Sequence, residues 1–141
     1  MARTIVVGVD GSDPSIDALR YAADLVRDLT DAELVVVHAR HLPYLWTADH
    51  AADDEFTDLL DGLEKQVREQ VDRELGPRAI RWRIDVREGE PSHVLCDVAG
   101  ETAATAIVAG RRGWSAVAEL VLGSVSNRLV HRSGCPVLLV R

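Results

Sequence analysis

The sequence predicts an α/β fold, in which a doubly wound, mostly parallel five-stranded sheet carries helices on both faces. Short runs of β-branched and aliphatic residues alternate along the chain with longer segments whose apolar residues recur at helical spacing. Several of the short runs are apolar at nearly every position, which is typical of strands buried on both faces of a parallel sheet. Right-handed crossovers between such strands place helices on both sides.

The first part of the chain predicts a strand, a helix and a second strand. Residues 4–9 are almost entirely apolar and are followed by turn-forming residues, so they are expected to form a buried strand. Either Ser12 or Asp13 is placed to cap the next helix, and Pro14 fits its first turn. The apolar run over residues 33–39 predicts the second buried strand.

The middle of the chain predicts a loop, a long helix and an edge strand. Residues 40–50 have no clear period and carry aromatic side chains, so we interpret them as a loop that either shields a ligand or forms plain surface. Apolar residues keep helical spacing from about 52 to 75, where Gly76 and Pro77 end the helix. Over residues 82–86 apolar and charged residues alternate, which favours a strand near one edge of the sheet.

The last third of the chain predicts two further helices and two further strands. A helix is expected over residues 91–102, followed by a short buried strand over 105–109 that leads directly into Gly110. A helix over 124–132 and a strand over 136–141 complete the pattern. Strand and helix therefore alternate to the end of the sequence.

Length, charge and cysteine content restrict the class of protein. A chain of 141 residues fits one domain, spanning residues 1–141. The formal net charge of −7 argues against partners such as nucleic acid or an anionic membrane surface, because both attract clustered cations. No apolar run approaches the ~20 residues that span a bilayer, and no signal peptide is recognised. Cys96 and Cys135 are too few for a disulfide framework, so we expect a cytoplasmic protein and interpret each as a small packed residue.

Three strand ends are expected to meet at one edge of the sheet. In doubly wound sheets, ligands bind outside the carboxyl ends of the strands, near the point where strand order reverses. Here those ends are Asp10, Ala39 and Gly110, which makes them candidate site residues. His38 ends a buried strand and is interpreted as a satisfied structural histidine. The other histidines show no metal-ligand spacing with the cysteines, so no zinc site is expected.

The most informative motif has the form G-x2-G-x9-G-S and consists of Gly110, Gly113, Gly123 and Ser124. A glycine directly after a buried strand lets the backbone turn sharply and approach a ligand. The Gly-Ser pair opens the helix over 124–132, whose first N–H groups have no intrahelical partner and carry the positive end of the helix dipole. Phosphates bind favourably at such a helix end.

With this motif the sequence resembles the universal stress protein family, whose ATP-binding members carry G-x2-G-x9-G-[ST] between the fourth strand and the fourth helix. The flanks are similar as well, over residues 5–12, 34–39, 123–130 and 135–140. The resemblance implies an adenine-nucleotide α-hydrolase-like, Rossmann-like fold that binds ATP. It also implies Mg²⁺ between the phosphate oxygens, where this ion keeps most of its waters.

The resemblance implies a role for each motif position. The Asp10 carboxylate would lie near the ribose hydroxyls or a bound metal, and Ala39 would contact adenine through its backbone. Arg112 and the neighbouring Arg111 either pair with the γ-phosphate or face water. The implied nucleotide-binding residues are Gly8, Val9, Asp10, Ala39, Ala109, Gly110, Arg112, Gly113, Gly123, Ser124, Val125 and Ser126.

The expected function is nucleotide-dependent regulation in a stress response. The sequence shows no nucleophile and base pair and no general base placed to act on a γ-phosphate, so ATP hydrolysis is expected to be slow at most. ATP would act by ordering residues 110–123, with 40–50 as a second candidate segment. The alternative is a dimeric interaction module of the same fold that binds no nucleotide. A receiver domain fits less well, because Lys65, the one lysine, lies in a predicted helix.

The last strand suggests a second copy of the chain as partner. Residues 136–141 are strongly apolar and would promote aggregation if left as an open sheet edge. In the family this strand commonly pairs with its equivalent in a second subunit. The resemblance therefore implies a homodimer through 136–141, with a further protein partner that the sequence does not identify.

Overall fold

The computed structural model describes residues 2–41, 54–111 and 124–141, and the structural statements below concern those ranges. The strands are β1 (Arg3–Gly8), β2 (Ala32–Arg40), β3 (Arg81–Glu88), β4 (Ala106–Gly110) and β5 (Val137–Val140). The helices are α1 (Asp13–Asp28), α2 (Asp54–Leu75), α3 (Pro91–Thr102) and α4 (Ser124–Arg132). Each strand and helix predicted from the sequence is present, and no end differs by more than two residues. The predicted loop over 40–50 lies outside the described residues from position 42 onward.

The five strands form one sheet with the order β3-β2-β1-β4-β5. All neighbouring pairs are parallel, so the doubly wound α/β prediction is confirmed and the sheet is parallel throughout. After β1 the chain builds β2 and β3 on one side, and then crosses over to build β4 and β5 on the other. Strand order therefore reverses beside β1, and the boundary between β1 and β4 is the topological switch point.

The core lies in two layers, one on each face of the sheet. On one face Val7 and Val36 pack with the apolar sides of α1 and α2. On the other face Val6 and Val35 pack against α3 and α4. Successive residues of a strand point to opposite faces, so a continuous apolar run fills both layers at once. This is why β1 and β2 show no polar alternation in the sequence.

The two edge strands differ in their chemistry. In β3, Trp82 and Ile84 pack against the α1 and α2 layer, whereas Arg81 and Arg83 are exposed. This alternation agrees with the edge position that the sequence predicted. The opposite edge, β5, has the sequence Val-Leu-Leu-Val, and Leu138 is 37% exposed. Charged side chains discourage an edge strand from pairing with another sheet, and the aliphatic β5 carries none.

Local side-chain contacts set the first residues of two helices. Ser12 is the N-cap of α1, and its Oγ accepts a hydrogen bond from the backbone N–H of Ser15 at 3.4 Å, which decides between the two predicted caps. Glu90 caps α3 by accepting from the backbone N–H groups of Ser92 and His93. None of the helices within the described ranges is long and apolar enough to cross a membrane.

Candidate functional site

The carboxyl ends of the three central strands lie side by side, as the sequence predicted. In the parallel register Gly8 of β1 is opposite Val37 of β2, and Val7 is opposite Val108 of β4. Asp10, Ala39 and Gly110 follow two residues after Gly8, Val37 and Val108, respectively. The structure therefore brings these candidate residues to one edge of the sheet, at the switch point.

Asp10 is held in a tight turn that leaves part of its carboxylate available. Its Oδ1 accepts hydrogen bonds from the backbone N–H of Ser12 at 2.9 Å and from the Ser12 hydroxyl at 2.5 Å. The backbone N–H of Asp10 donates to the Ser15 hydroxyl at 3.3 Å. Within the described part of the chain, the hydrogen bonds to this carboxylate all use Oδ1. Oδ2 of the half-buried side chain is therefore available to accept from a ligand.

The first turn of α4 is fixed against the end of β4. Ser126 is 1% exposed, and its hydroxyl donates to the carbonyl oxygen of Gly110 at 2.8 Å and approaches that of Arg111 at 3.3 Å. Val125 packs in the α3 and α4 layer together with Leu129. These contacts bring the amino end of α4, with its free N–H groups, to the carboxyl edge of the sheet.

Ser126 was expected among the nucleotide-binding residues, and the structure shows its hydroxyl donating to backbone carbonyl groups. Its side chain is therefore a positioning group, which holds the helix end in place. Because its hydroxyl is engaged, Ser126 would contact a ligand through its backbone N–H group.

At two of the candidate glycines, another element packs so closely that little room is left for a side chain. A Cβ added to Gly8 would lie 3.0 Å from Cδ1 of Leu95, on the inward face of α3. A Cβ added to Gly110 would lie 2.8 Å from the carbonyl oxygen of Pro14, at the start of α1. Gly110 was predicted to allow close approach of a ligand, but the packing of α1 already requires a glycine at this position.

Of the remaining candidate residues, some are buried in the core and others lie outside the ranges that the structure describes. Val9, Ala39 and Ala109 are buried in the core, and both backbone groups of Val9 already have partners, since its N–H donates to Val37 and its carbonyl oxygen lies against His38. Arg112, Gly113, Gly123 and the loop aromatics Tyr44 and Trp46 lie outside the described residues. Ser124 is the first residue of α4.

Arg111 lies at a cavity beside the switch point. This cavity of about 230 Å³ is lined by Pro14, Arg111, Val140 and Arg141, at the carboxyl ends of β4 and β5. The backbone N–H of Arg111 donates to the carbonyl oxygen of Val140 at 2.8 Å, which continues the β4 to β5 pairing. Arg111 and Arg141 border this cavity, but its lining is mainly apolar.

Two buried polar groups near the Asp10 turn were not identified as a pair from the sequence. His38 is 1% exposed, and its Nδ1 lies 2.9 Å from the carbonyl oxygen of Val9. A carbonyl oxygen only accepts, so Nδ1 carries the hydrogen atom, and Nε2 is a buried atom with no hydrogen-bond partner among the described residues. Among the described residues, the prediction of a satisfied histidine therefore holds for Nδ1 and not for Nε2.

Gln70 of α2 is the second group of this kind. Its Nε2 donates to the carbonyl oxygen of Gly11 at 3.3 Å, and its Oε1 is buried without a partner in the described ranges. Gly11 has a φ of 90°, a conformation that glycine adopts readily. Unsatisfied buried polar atoms indicate a place for water or for polar ligand atoms, so the α2 side of this turn belongs to the candidate site.

The described residues provide no cage for a metal ion. Groups of three or more histidine, cysteine, aspartate or glutamate side chains do not come together within ranges 2–41, 54–111 and 124–141. At the switch point the acidic group is the Asp10 carboxylate.

The fold and the site together define a doubly wound α/β protein that presents a carboxylate and a helix amino end at its topological switch point. The model of the universal stress protein family matches residues 1–141. The chain therefore belongs to the universal stress protein family. The universal stress protein YxiE of Bacillus subtilis is 30% identical over 151 aligned residues, which cover 100% of both proteins.

Solved structures share this architecture. The universal stress protein UspA from Lactobacillus plantarum matches with a TM-score of 0.81 at 22% identity, and the match covers 99% of this chain and 97% of that one. A universal stress protein in complex with cAMP matches with a TM-score of 0.70 at 28% identity, covering 99% and 97%. The universal stress protein from Archaeoglobus fulgidus in complex with dAMP matches with a TM-score of 0.67 at 25% identity, covering 99% and 98%.

Proposed function

We propose that this chain, acting as one domain, binds ATP at the switch point and serves as a nucleotide-dependent regulator rather than as an efficient enzyme. The observation that carries the proposal is that the Asp10 carboxylate and the amino end of α4 are both held at the carboxyl edge of the sheet, Asp10 by its turn after β1 and α4 by the bond from Ser126 to the end of β4. A ribose hydroxyl donates to carboxylate oxygens, and phosphates accept from free helix N–H groups. Two relatives of the same fold hold the adenylates cAMP and dAMP.

The proposal assigns each part of the nucleotide to a described element. Adenine is assigned to the end of β2, beside Ala39, the position that the family resemblance implies for this contact. The ribose contacts Oδ2 of Asp10, which the turn leaves available. The phosphates extend toward α4 and the cavity lined by Arg111 and Arg141. Gly113, Gly123 and Ser124 complete this phosphate site as the family motif implies.

Mg²⁺ fits this arrangement as a companion of the phosphates. The ion would neutralise charge on the phosphate oxygens, and it commonly keeps several water ligands with one or two carboxylates. The carboxylate of Asp10, at the switch point, is the candidate protein ligand for this ion. The donor set therefore suits an ion that arrives with the nucleotide.

Hydrolysis is proposed to be slow because the described residues at the switch point offer no activated base. His38 is buried, and its Nδ1 is engaged by the Val9 carbonyl. The Asp10 carboxylate already accepts two hydrogen bonds from Ser12, which hold one of its oxygen atoms within the turn. A reducing cytoplasmic location is part of the proposal, and both cysteines are free thiols.

Calorimetry and thermal melting of the wild-type protein test the proposal. With Mg²⁺ present, ATP at a hundredfold excess over its Kd is expected to stabilise the fold by about 2.7 kcal/mol, or roughly 5–10 °C in Tm. GTP is the matched control, since it keeps the ribose and phosphates and changes only the base. AMP and cAMP, run in parallel, separate recognition of the nucleoside from recognition of the triphosphate. Absence of both heat and a Tm shift with every adenylate would refute nucleotide binding.

A homodimer through β5 is proposed in addition, on the contrast between the two sheet edges. The exposed arginines of β3 protect that edge, whereas β5 is entirely aliphatic. An isologous contact between two copies of β5 would pair both open edges at once. This contact also suits the alternative function, an interaction module without nucleotide, because it does not depend on the switch point.

Replacing Leu138 with arginine is expected to convert the dimer to monomer or to insoluble protein. Leu138 lies on β5 and is 37% exposed, so a charge there would be buried by a paired strand. Light scattering measures the mass of the variant in solution. The matched control is Leu59→Arg, which is 50% exposed on α2, a helix that packs over β2. A Leu138→Arg protein that remains dimeric would exclude this interface.

A further inference from the structure

The two cysteines share a cavity on the face of the sheet that α3 and α4 cover. This cavity of about 210 Å³ is lined by Cys96 of α3 and by Cys135, in the segment between α4 and β5. Its other walls are small, consisting of alanine and glycine residues such as Ala99 and Gly134. No bulky side chain lines the cavity, so the space between the two thiols is open to a small reagent.

Both thiols are partly accessible, and they influence each other. Each is free and half-buried, and each packs against the α3 and α4 layer. Burial raises the pKa of the Cys96 thiol, and the neighbouring Cys135 raises it further because two adjacent thiolates repel. The geometric observation that places the two thiols beside each other is the cavity that both line.

The backbone around Cys135 is fixed by a serine. The Ser133 hydroxyl donates to the carbonyl oxygen of Cys135 at 2.7 Å and accepts from the Cys135 N–H at 3.1 Å. The same hydroxyl lies 3.5 Å from Sγ of Cys135. The turn that carries this thiol is therefore held in one conformation beside α3, which reduces the entropy lost when the sulfurs meet.

We propose that Cys96 and Cys135 form a reversible dithiol–disulfide pair that hydrogen peroxide oxidises. One thiolate attacks an oxygen of the peroxide, which breaks the O–O bond and gives a sulfenic acid and, after proton transfer, water. The second thiol then attacks the sulfenic sulfur, forms the S–S bond and releases a second water. Two thiols and one peroxide thus give one disulfide and two waters, and a dithiol reductant reverses the reaction.

This site is independent of the proposed nucleotide site. The disulfide would join α3 to the segment between α4 and β5, across the second layer of the core. Two cysteines are too few for a structural disulfide framework, but they suffice for a single reversible bond of this kind. In reducing compartments, disulfides are mostly transient and redox-sensing, which fits a pair that stands as free thiols in the resting protein.

Peroxide treatment of the full chain, followed by mass spectrometry without reductant, tests the pair. We expect a monomeric product lighter by two hydrogen atoms, in which a peptide containing Cys96 is joined to one containing Cys135. Dithiothreitol should restore the original mass. Because the fold brings the thiols together, the bond should form at least about tenfold faster in folded protein than in urea-unfolded protein. Treatment at mildly alkaline pH increases the thiolate fraction of Cys96.

The single variants Cys96→Ala and Cys135→Ala serve as controls, with circular dichroism to verify their folding. Each should lose the intramolecular product and retain one peroxide-sensitive thiol. The proposal is overturned if wild-type protein gives only separate sulfinic acids, only a disulfide between two copies, or equal rates with and without urea.

Discussion

Gly110→Ala is expected to destabilise the protein by about 3 kcal/mol and to lower its Tm by roughly 10 °C. The added Cβ would lie 2.8 Å from the carbonyl oxygen and 3.0 Å from the carbonyl carbon of Pro14. Both are backbone atoms at the start of α1, so relief requires movement of the helix relative to β4. The cost is steric rather than conformational, and urea titration or thermal melting measures it directly.

Gly62→Ala is the matched control for this substitution. Gly62 lies within α2, and nothing lies within 4 Å of a Cβ built there. Alanine in a helix interior is expected to stabilise the protein by about 0.5–1 kcal/mol. The two variants carry the same chemical change with opposite predicted signs. Equal melting of Gly110→Ala and wild-type protein would show that α1 does not approach β4 this closely.

Asp10→Asn is expected to weaken ATP binding by roughly 10–100-fold while leaving the fold intact, if the proposed function is correct. An asparagine Oδ1 still accepts from the N–H and hydroxyl of Ser12, so the turn is retained. The change removes the negative charge and converts Oδ2 into an N–H donor. Both effects disfavour a ribose hydroxyl at that position, and calorimetry gives the change in Kd.

Asp13→Asn controls for the change in charge. Asp13 is exposed in the first turn of α1, three residues from Asp10, and removing its charge alters the local potential in a similar way. We expect its Kd for ATP to stay within about twofold of wild type, because exposed charges contribute little. If the two variants bind ATP equally well, Asp10 does not contact the nucleotide.

Most of the fold followed from local patterns in the sequence. The valine-rich runs of β1 and β2 could be assigned to buried parallel strands because they lack polar alternation. In β3 apolar and polar residues do alternate, so this strand could be assigned to an edge of the sheet. Gly76 and Pro77 were correctly predicted to end α2, and the N-cap of α1 was one of the two predicted residues, Ser12 and not Asp13. Turn residues and apolar periodicity are properties of neighbouring residues, so they can be identified before the chain is folded.

The candidate site was predictable in place but not in detail. The switch-point rule located the edge where Asp10, Ala39 and Gly110 meet. The packing reasons for Gly8 and Gly110 were not visible, because Leu95 and Pro14 belong to other elements. Gln70 was not identified either, since it is separated from Gly11 by most of the first half of the chain.

The sequence by itself determined the order and type of the elements, their bounds within two residues, and the family resemblance, because these depend on local spacing. Only the tertiary structure decided that Ser126 ties α4 to β4, that His38 keeps one unsatisfied nitrogen, and that Cys96 shares a cavity with Cys135. Each of these contacts joins different elements of the fold. Their geometry is set by how the crossovers place helices on the sheet, which no local pattern specifies.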